Sequence, residues 1–292
     1  MMAKKWFQLS EEGAGKLRLQ ALKFMFDKLG EFPVRIIAFF VVLSVFLQAK
    51  DRRNASLKFF KIINKKHLLL SAFRQFLNYG NSLVDKFLSV MGRLDPQKFE
   101  LPEEDIFKSA FFITTHVGNV EIMRSLFQLK NKFEPKRVNI FLQANACKIF
   151  NDFLKTLELH IPEIEAFPVE EISPHISIEI SDRLQNGEIV FMAGDRISAQ
   201  NENIAYEAEF LNHKVKFPLG TLKFALMLNV PVYFIVCVKD RNKYKIFAEK
   251  FVSDKQKRTE KLEDLKLQYV NFLEKYTLMY PEQFFNFYDM WE

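Results

Sequence analysis

Ala110-Phe-Phe-Ile-Thr-Thr-His-Val-Gly-Asn-Val-Glu121 decides how the chain is read. Its apolar opening has the pattern of a buried strand that ends at Thr115-His116. A Gly118-Asn119 turn follows, and Asn119 has the side chain of a helix cap. The helix it opens is expected over Val120 to Leu129. His116 thus falls at the carboxyl end of a strand, where open α/β sheets hold ligands. Glu121, in the first helical turn, comes within reach of His116 across the turn. A carboxylate accepting from one imidazole nitrogen fixes the tautomer and leaves the other nitrogen as a base. Such a pair suits taking a proton from a hydroxyl as it attacks an activated acyl group, with no Ser or Cys nucleophile. The plainer alternative is a His that caps a turn beside an ordinary first-turn acid.

Outward from this stretch, β-rich runs recur at Val138 to Leu142, Ile189 to Ala193, Val232 to Val238 and Tyr244 to Ala248. Helical patterns lie between them at Ala146 to Leu157 and Leu219 to Leu228, and a last helix is expected from Asp254 to Tyr276. Strand and helix in alternation predict an α/β fold with a mixed, largely parallel sheet flanked by helices.

The first hundred residues differ. A helix starting near Ser10-Glu-Glu12 is expected to stop at Gly30, and helical periodicity returns over Leu57 to Met91. Between them Ile36 to Ala49 carries no charge. As a helix its 14 residues reach about 21 Å, short of the roughly 30 Å of a bilayer core. Arg35 precedes it, and Lys50, Asp51, Arg52 and Arg53 follow; Lys and Arg beside an apolar helix suit an anionic leaflet. Trp6 and Phe7 add interfacial aromatics. We expect a monotopic helix seated in the membrane; a buried core helix is the alternative. The division is a helical, membrane-associating region over 1–100 and an α/β domain over 101–292, forming one continuous structural domain. Leu94 to Asp105 is the polar connection.

Composition narrows the function. The 42 Lys+Arg against 36 Asp+Glu make the chain weakly basic, but its lysines are dispersed, which argues against nucleic acid. Two cysteines 90 residues apart, Cys147 and Cys237, argue against a disulfide scaffold or structural zinc and fit a reducing compartment. No secretory signal is expected in the charged opening residues. The 33 Phe fit either contact with lipid or acyl chains, or codon bias. HExxH, P-loop and GxGxxG patterns do not occur, so neither metal hydrolysis nor nucleotide chemistry is indicated. Gly194-Asp195-Arg196 follows the strand Ile189 to Ala193, again at a carboxyl end. Asp195 and Arg196 are expected to orient the pocket or to hold an anionic substrate group; a salt-bridged surface turn is the alternative. His67, His160, His175 and His213 have no partner at useful spacing.

Together these residues resemble a family. Thr115-His-Val-Gly-Asn-Val-Glu121 is similar to the THxGNWE signature of the bacterial lipid A lauroyl/myristoyl acyltransferases, with Val120 where Trp is usual. Gly194-Asp-Arg196 matches a short strand ending in Asp-Gln or Asp-Arg. Phe210 to Gly220 resembles the following FxGxxxxxPxG block, with Asn212 replacing a glycine. The ending Pro281-Glu-Gln-Phe-Phe-Asn-Phe-Tyr-Asp-Met-Trp291 is similar to a PEQWFNFYDFW-like tail of one branch. Within Phe210 to Gly220, Phe217-Pro-Leu-Gly-Thr221 also invites comparison with the FPEGT phosphate motif of glycerolipid acyltransferases, but Leu219 stands where that motif has Glu.

The resemblance covers nearly the whole chain and implies a glycerolipid-acyltransferase-like fold. It implies transfer of a fatty acyl group from acyl carrier protein to a hydroxyl of a membrane lipid or glycolipid, at the cytoplasmic face of the inner membrane. His116 would be the general base and Glu121 its orienting carboxylate. Asn119, Asp195, Arg196 and Lys148 would contact substrate, with no metal and no cofactor beyond the carrier-bound donor. Lys148 is the sole cation in Phe141 to Lys148, where lipid A enzymes carry Arg residues that meet a phosphorylated acceptor. The acceptor therefore stays open. A lysophospholipid or glycerol-phosphate acyltransferase and a non-catalytic membrane scaffold are the alternatives.

Overall fold

The structure, a computed structural model, describes residues 16–102, 106–123, 137–156, 164–197 and 204–291. Four helices come first: α1 (Lys16–Leu29), α2 (Glu31–Gln48), α3 (Lys50–Ile62) and α4 (Leu68–Val90). Gly30, at φ +79°, separates α1 from α2, a conformation that glycine adopts without a Cβ penalty. The α/β part then runs β1 (Phe99–Glu100), β2 (Phe111–Gly118), β3 (Val138–Leu142), α5 (Ala144–Thr156), β4 (Ile164–Pro168), α6 (Pro174–Gln185) and β5 (Ile189–Ala193). It continues with β6 (Ala205–Phe210), β7 (His213–Pro218), α7 (Leu219–Met227), β8 (Val232–Asp240), β9 (Lys243–Lys250) and α8 (Arg258–Met279).

The main sheet has seven strands in the order β1-β9-β8-β2-β5-β3-β4. β8, β2, β5, β3 and β4 are mutually parallel, β9 returns antiparallel to β8, and β1 pairs parallel with β9. This is the α/β, largely parallel sheet that the alternation of strands and helices predicts. The long apolar runs of β2 and β8 are those of strands covered on both faces. In β2, Phe111 and Ile113 join one hydrophobic cluster and Phe112 the other, as the two-residue period of a strand requires.

The strands Val138 to Leu142 and Ile189 to Ala193 match the sequence reading. The reading did not anticipate β1, β4, α6 or the β6–β7 hairpin. The continuous pattern over Leu57 to Met91 is broken into α3 and α4 by Asn64, at φ +56°. The expected helix after Asn119 begins as a 3₁₀ turn over 120–123; its remainder lies outside the described residues, as do Trp6, Phe7, Ser10 to Glu12 and His160.

α2 has 18 residues, about 27 Å, and is long and apolar enough to cross a membrane by length and composition. Val34, Val42 and Phe46 pack inward. Gly80 of α4 lets Val42 approach closely: a Cβ there would meet Val42 Cγ2 at 2.3 Å. The other side of α2 is bare, with Phe32 76% exposed and Ile36, Phe40, Val41 and Leu47 also in the open. Among the described residues the exposed phenylalanines are Phe24, Phe32, Phe39 and Phe40, all on α1 and α2. Arg53, one of the cations that follow the apolar stretch, donates to the last carbonyls of α2, Phe46 O at 2.7 Å and Leu47 O at 2.9 Å. It is a cation satisfying a helix C-terminus.

Candidate functional site

β2 lies between β5 and β8, and crossovers pass this part of the sheet in both directions. From β2 it passes over β5 to β3, and from β5 it returns across β2 to β8. The carboxyl ends of β2 and β5 are therefore neighbours at a point where strand order reverses, the usual ligand position in such sheets. Thr114 pairs with Ala193, and Gly194 N donates to Thr114 O at 3.0 Å, so Asp195 comes directly beside His116.

Asp195 holds His116 twice. Its Oδ2 accepts from the His116 backbone N–H at 2.8 Å and its Oδ1 bonds Nδ1 of the ring at 2.7 Å. A carboxylate partner requires the proton on Nδ1, which leaves Nε2 as the basic nitrogen. Nε2 has no hydrogen-bond partner among the described residues, and the His116 side chain is 32% exposed. The Asp195 side chain is fully buried. Burial alone would raise its carboxyl above the ordinary value; the charge and hydrogen bonds of His116, with nearby Arg196, outweigh that and hold it below. The pair is thus a buried anion orienting an accessible imidazole.

This corrects the assignment made from spacing. The carboxylate on Nδ1 is Asp195, not Glu121. Glu121 sits in the 3₁₀ turn with its side chain 49% exposed and forms an ion pair with Lys86 of α4. Residues five apart through a tight turn are closer in sequence than the 79-residue pairing of His116 with Asp195, but strand adjacency wins. Asp195 was singled out, in the lesser role of a pocket residue.

The other candidates separate. Asn119 N donates to Cys237 O at 2.7 Å and its side-chain amide to Ser82 O at 2.8 Å, tying the turn to β8 and to α4. Gly118 makes this possible: at φ +70°, a Cβ there would lie 2.1 Å from Cys237 O. Arg196 turns to the C-terminal tail, donating through Nε to Asn286 Oδ1 at 2.8 Å and through Nη2 to Phe285 O at 2.5 Å. These bonds tie the turn after β5 to the tail. Lys148 is exposed on α5. Thr221, in the Phe217 to Thr221 stretch, donates to Ala193 O at 2.8 Å and anchors the start of α7 at the end of β5.

The tail is the part of the site that sequence reasoning missed. Phe285 N donates to His116 O at 2.8 Å, and Phe284 bridges to Val117. Gln75 of α4 donates to Phe284 O and accepts from Ser56 of α3, while Gln283 makes two bonds to the backbone of Lys239 in β8. Tyr269 of α8, fully buried, donates to Thr114 O at 3.0 Å. His116 is thus fixed from two chain segments, through its ring and its N–H by Asp195 and through its carbonyl by Phe285. No protein-family model matches the chain, and no curated protein matches it.

Proposed function

We propose that the protein transfers a fatty acyl group from a carrier-protein thioester to a hydroxyl of a membrane-held lipid or glycolipid, with His116 as general base. The observation that carries this is the Asp195–His116 pair: a buried carboxylate on Nδ1 and an accessible imidazole whose Nε2 has no hydrogen-bond partner among the described residues. It is supported by the motif resemblance around His116, Asp195 and the tail, which also supports a glycerolipid-acyltransferase-like fold.

In this reading Nε2 accepts the acceptor hydroxyl proton as that oxygen attacks the thioester carbonyl. The tetrahedral intermediate collapses by breaking the carbon–sulfur bond, and the imidazolium returns the proton to the departing thiolate. The products are an ester and a free carrier thiol. Asp195 stabilises the imidazolium formed between the two steps and keeps the ring from rotating. A positioned base of this kind contributes roughly 10²–10⁴-fold. The bare face of α2, with Phe24 of α1 also exposed, supports a seat in the leaflet, since interfacial helices bury such a face. The formal charge of +6 suits an acidic carrier protein and an anionic leaflet.

The test is a transfer assay in mixed micelles with labelled acyl carrier protein and a total lipid extract. Wild type should give labelled lipid, and His116→Ala should reduce its rate roughly 10³-fold while leaving the circular dichroism spectrum unchanged. Equal product from both proteins would refute the role of His116.

A further inference from the structure

A polar cleft of about 510 Å³ lies at the root of α2, unused by the chemistry above. It shares two walls with the His116 site: Asn119, in the turn after β2, and Phe285, whose N–H holds the His116 carbonyl. Among the described residues four cations line it, Arg35, Lys98, Lys239 and Arg241, against two carboxylates, Glu31 and Asp85. Four positive less two negative groups leave a formal surplus of two positive charges.

The distribution of these charges is informative. Asp85 is buried and takes both Arg35 at 2.5 Å and Lys239 at 2.9 Å, while Glu31 reaches Arg35 alone at 2.7 Å. The floor is therefore built and neutralised by the protein itself. Lys98 and Arg241 are exposed at the rim, and no carboxylate among the described residues lies within salt-bridge distance of either. Asn81 accepts from Arg35 through Oδ1 at 3.2 Å, which leaves its amide hydrogens for another acceptor. A recess with surplus cations and spare amide donors is complementary to an anionic oxygen group.

The wall toward α2 says what should carry that anion. Glu31 and Arg35 belong to the first turns of α2, and Phe32, Ile36 and Phe40 of the same helix stand bare. A free phosphate would satisfy the cleft but leave those side chains in water. We propose that the cleft binds the anionic phosphate headgroup of a membrane lipid whose acyl chains lie along the exposed face of α2. This holds independently of acyl transfer by His116.

Binding can be measured by calorimetry with short-chain lipids kept below their micelle concentration. The ligands are dihexanoylphosphatidylglycerol, dihexanoylphosphatidylcholine and free glycerol 3-phosphate. The proteins are wild type, Lys98→Ala/Arg241→Ala, and Lys255→Ala/Lys257→Ala, which removes two exposed cations that do not line the cleft. Wild type should bind phosphatidylglycerol at least tenfold tighter than phosphatidylcholine and at least tenfold tighter than glycerol 3-phosphate. The cleft variant should lose most of the first preference, and the control should keep it. Unchanged binding by the cleft variant, or equal losses in both variants, would overturn the site in favour of diffuse surface charge. Glycerol 3-phosphate binding as tightly as the lipid would overturn the lipid as its source.

Discussion

The ends of β2 and β5 and the outer face of α2 break the ordinary pattern of a folded chain in opposite ways. At the strand ends a charged group, Asp195, is fully buried. On α2, phenylalanine and isoleucine side chains are in the open. The buried carboxylate costs several kcal/mol of desolvation unless it is bonded, and here two donors of one residue and a nearby guanidinium offset that cost. The exposed apolar face has no offset within the described residues. One region therefore satisfies its own buried charge, while the other leaves an apolar face in the open. An anchored imidazole and an open apolar surface in one chain both support the proposal of an enzyme whose substrate stays in a membrane.

The comparison can be broken at either side. The largest effect is expected at Gly118, where any side chain meets a backbone carbonyl at a left-handed φ. Gly118→Val should destabilise the protein by roughly 4 kcal/mol, read by urea unfolding, because strain and clash add. Arg196→Ala removes both of its bonds to the tail. It should cost about 2 kcal/mol of stability, since hydrogen bonds to charged groups contribute about 1.5–3 kcal/mol each and water replaces part of them, and transfer should slow as the tail loosens on His116.

On the other side, Phe32→Ser/Phe40→Ser should leave urea unfolding within about 0.5 kcal/mol of wild type, as surface changes do. The same pair should weaken binding to lipid vesicles about tenfold, given up to roughly 1.5–3 kcal/mol for full burial of each Phe. Unchanged vesicle binding would remove the membrane role from this face. The smallest effect concerns pH. The carboxyl of Asp195 is lowered in the folded protein from an ordinary 3.8. Its contribution to stability is therefore fully present above about 3.8 and lost as the pH falls through the lower folded value. Asp195→Asn should flatten the acid limb of a stability–pH curve measured by urea unfolding.

Much of the site was readable because strands carry strong local signals. Val138 to Leu142 and Ile189 to Ala193 are short, apolar and bounded by polar turns, and both fall where they were read. His116 and Asp195 were legible as groups at carboxyl strand ends, and a parallel sheet makes strand ends converge. Their partnership was not legible, because it depends on β5 being inserted beside β2, a strand order that no local pattern encodes. The tail was quoted for its resemblance, yet nothing in its residues says that Phe285 bonds His116. α6 carries a start signal in Ser173-Pro174, with Ser173 Oγ accepting from Ile176 N at 3.4 Å and Pro174 at the first helical position. Its mixed polarity hid the period. β4 and the β6–β7 hairpin alternate weakly and take their place from neighbours.

The account rests on the identity of the carboxylate that orients His116, and one comparison addresses it: single-turnover acyl transfer by wild type, Asp195→Asn and Glu121→Gln at one pH. Replacing Asp195 removes the acceptor that keeps the proton on Nδ1, so transfer should slow roughly 10²-fold or more. Glu121→Gln should stay within about threefold of wild type, as expected for a half-exposed ion pair. The reverse order, with Glu121→Gln crippled and Asp195→Asn close to wild type, would contradict the account.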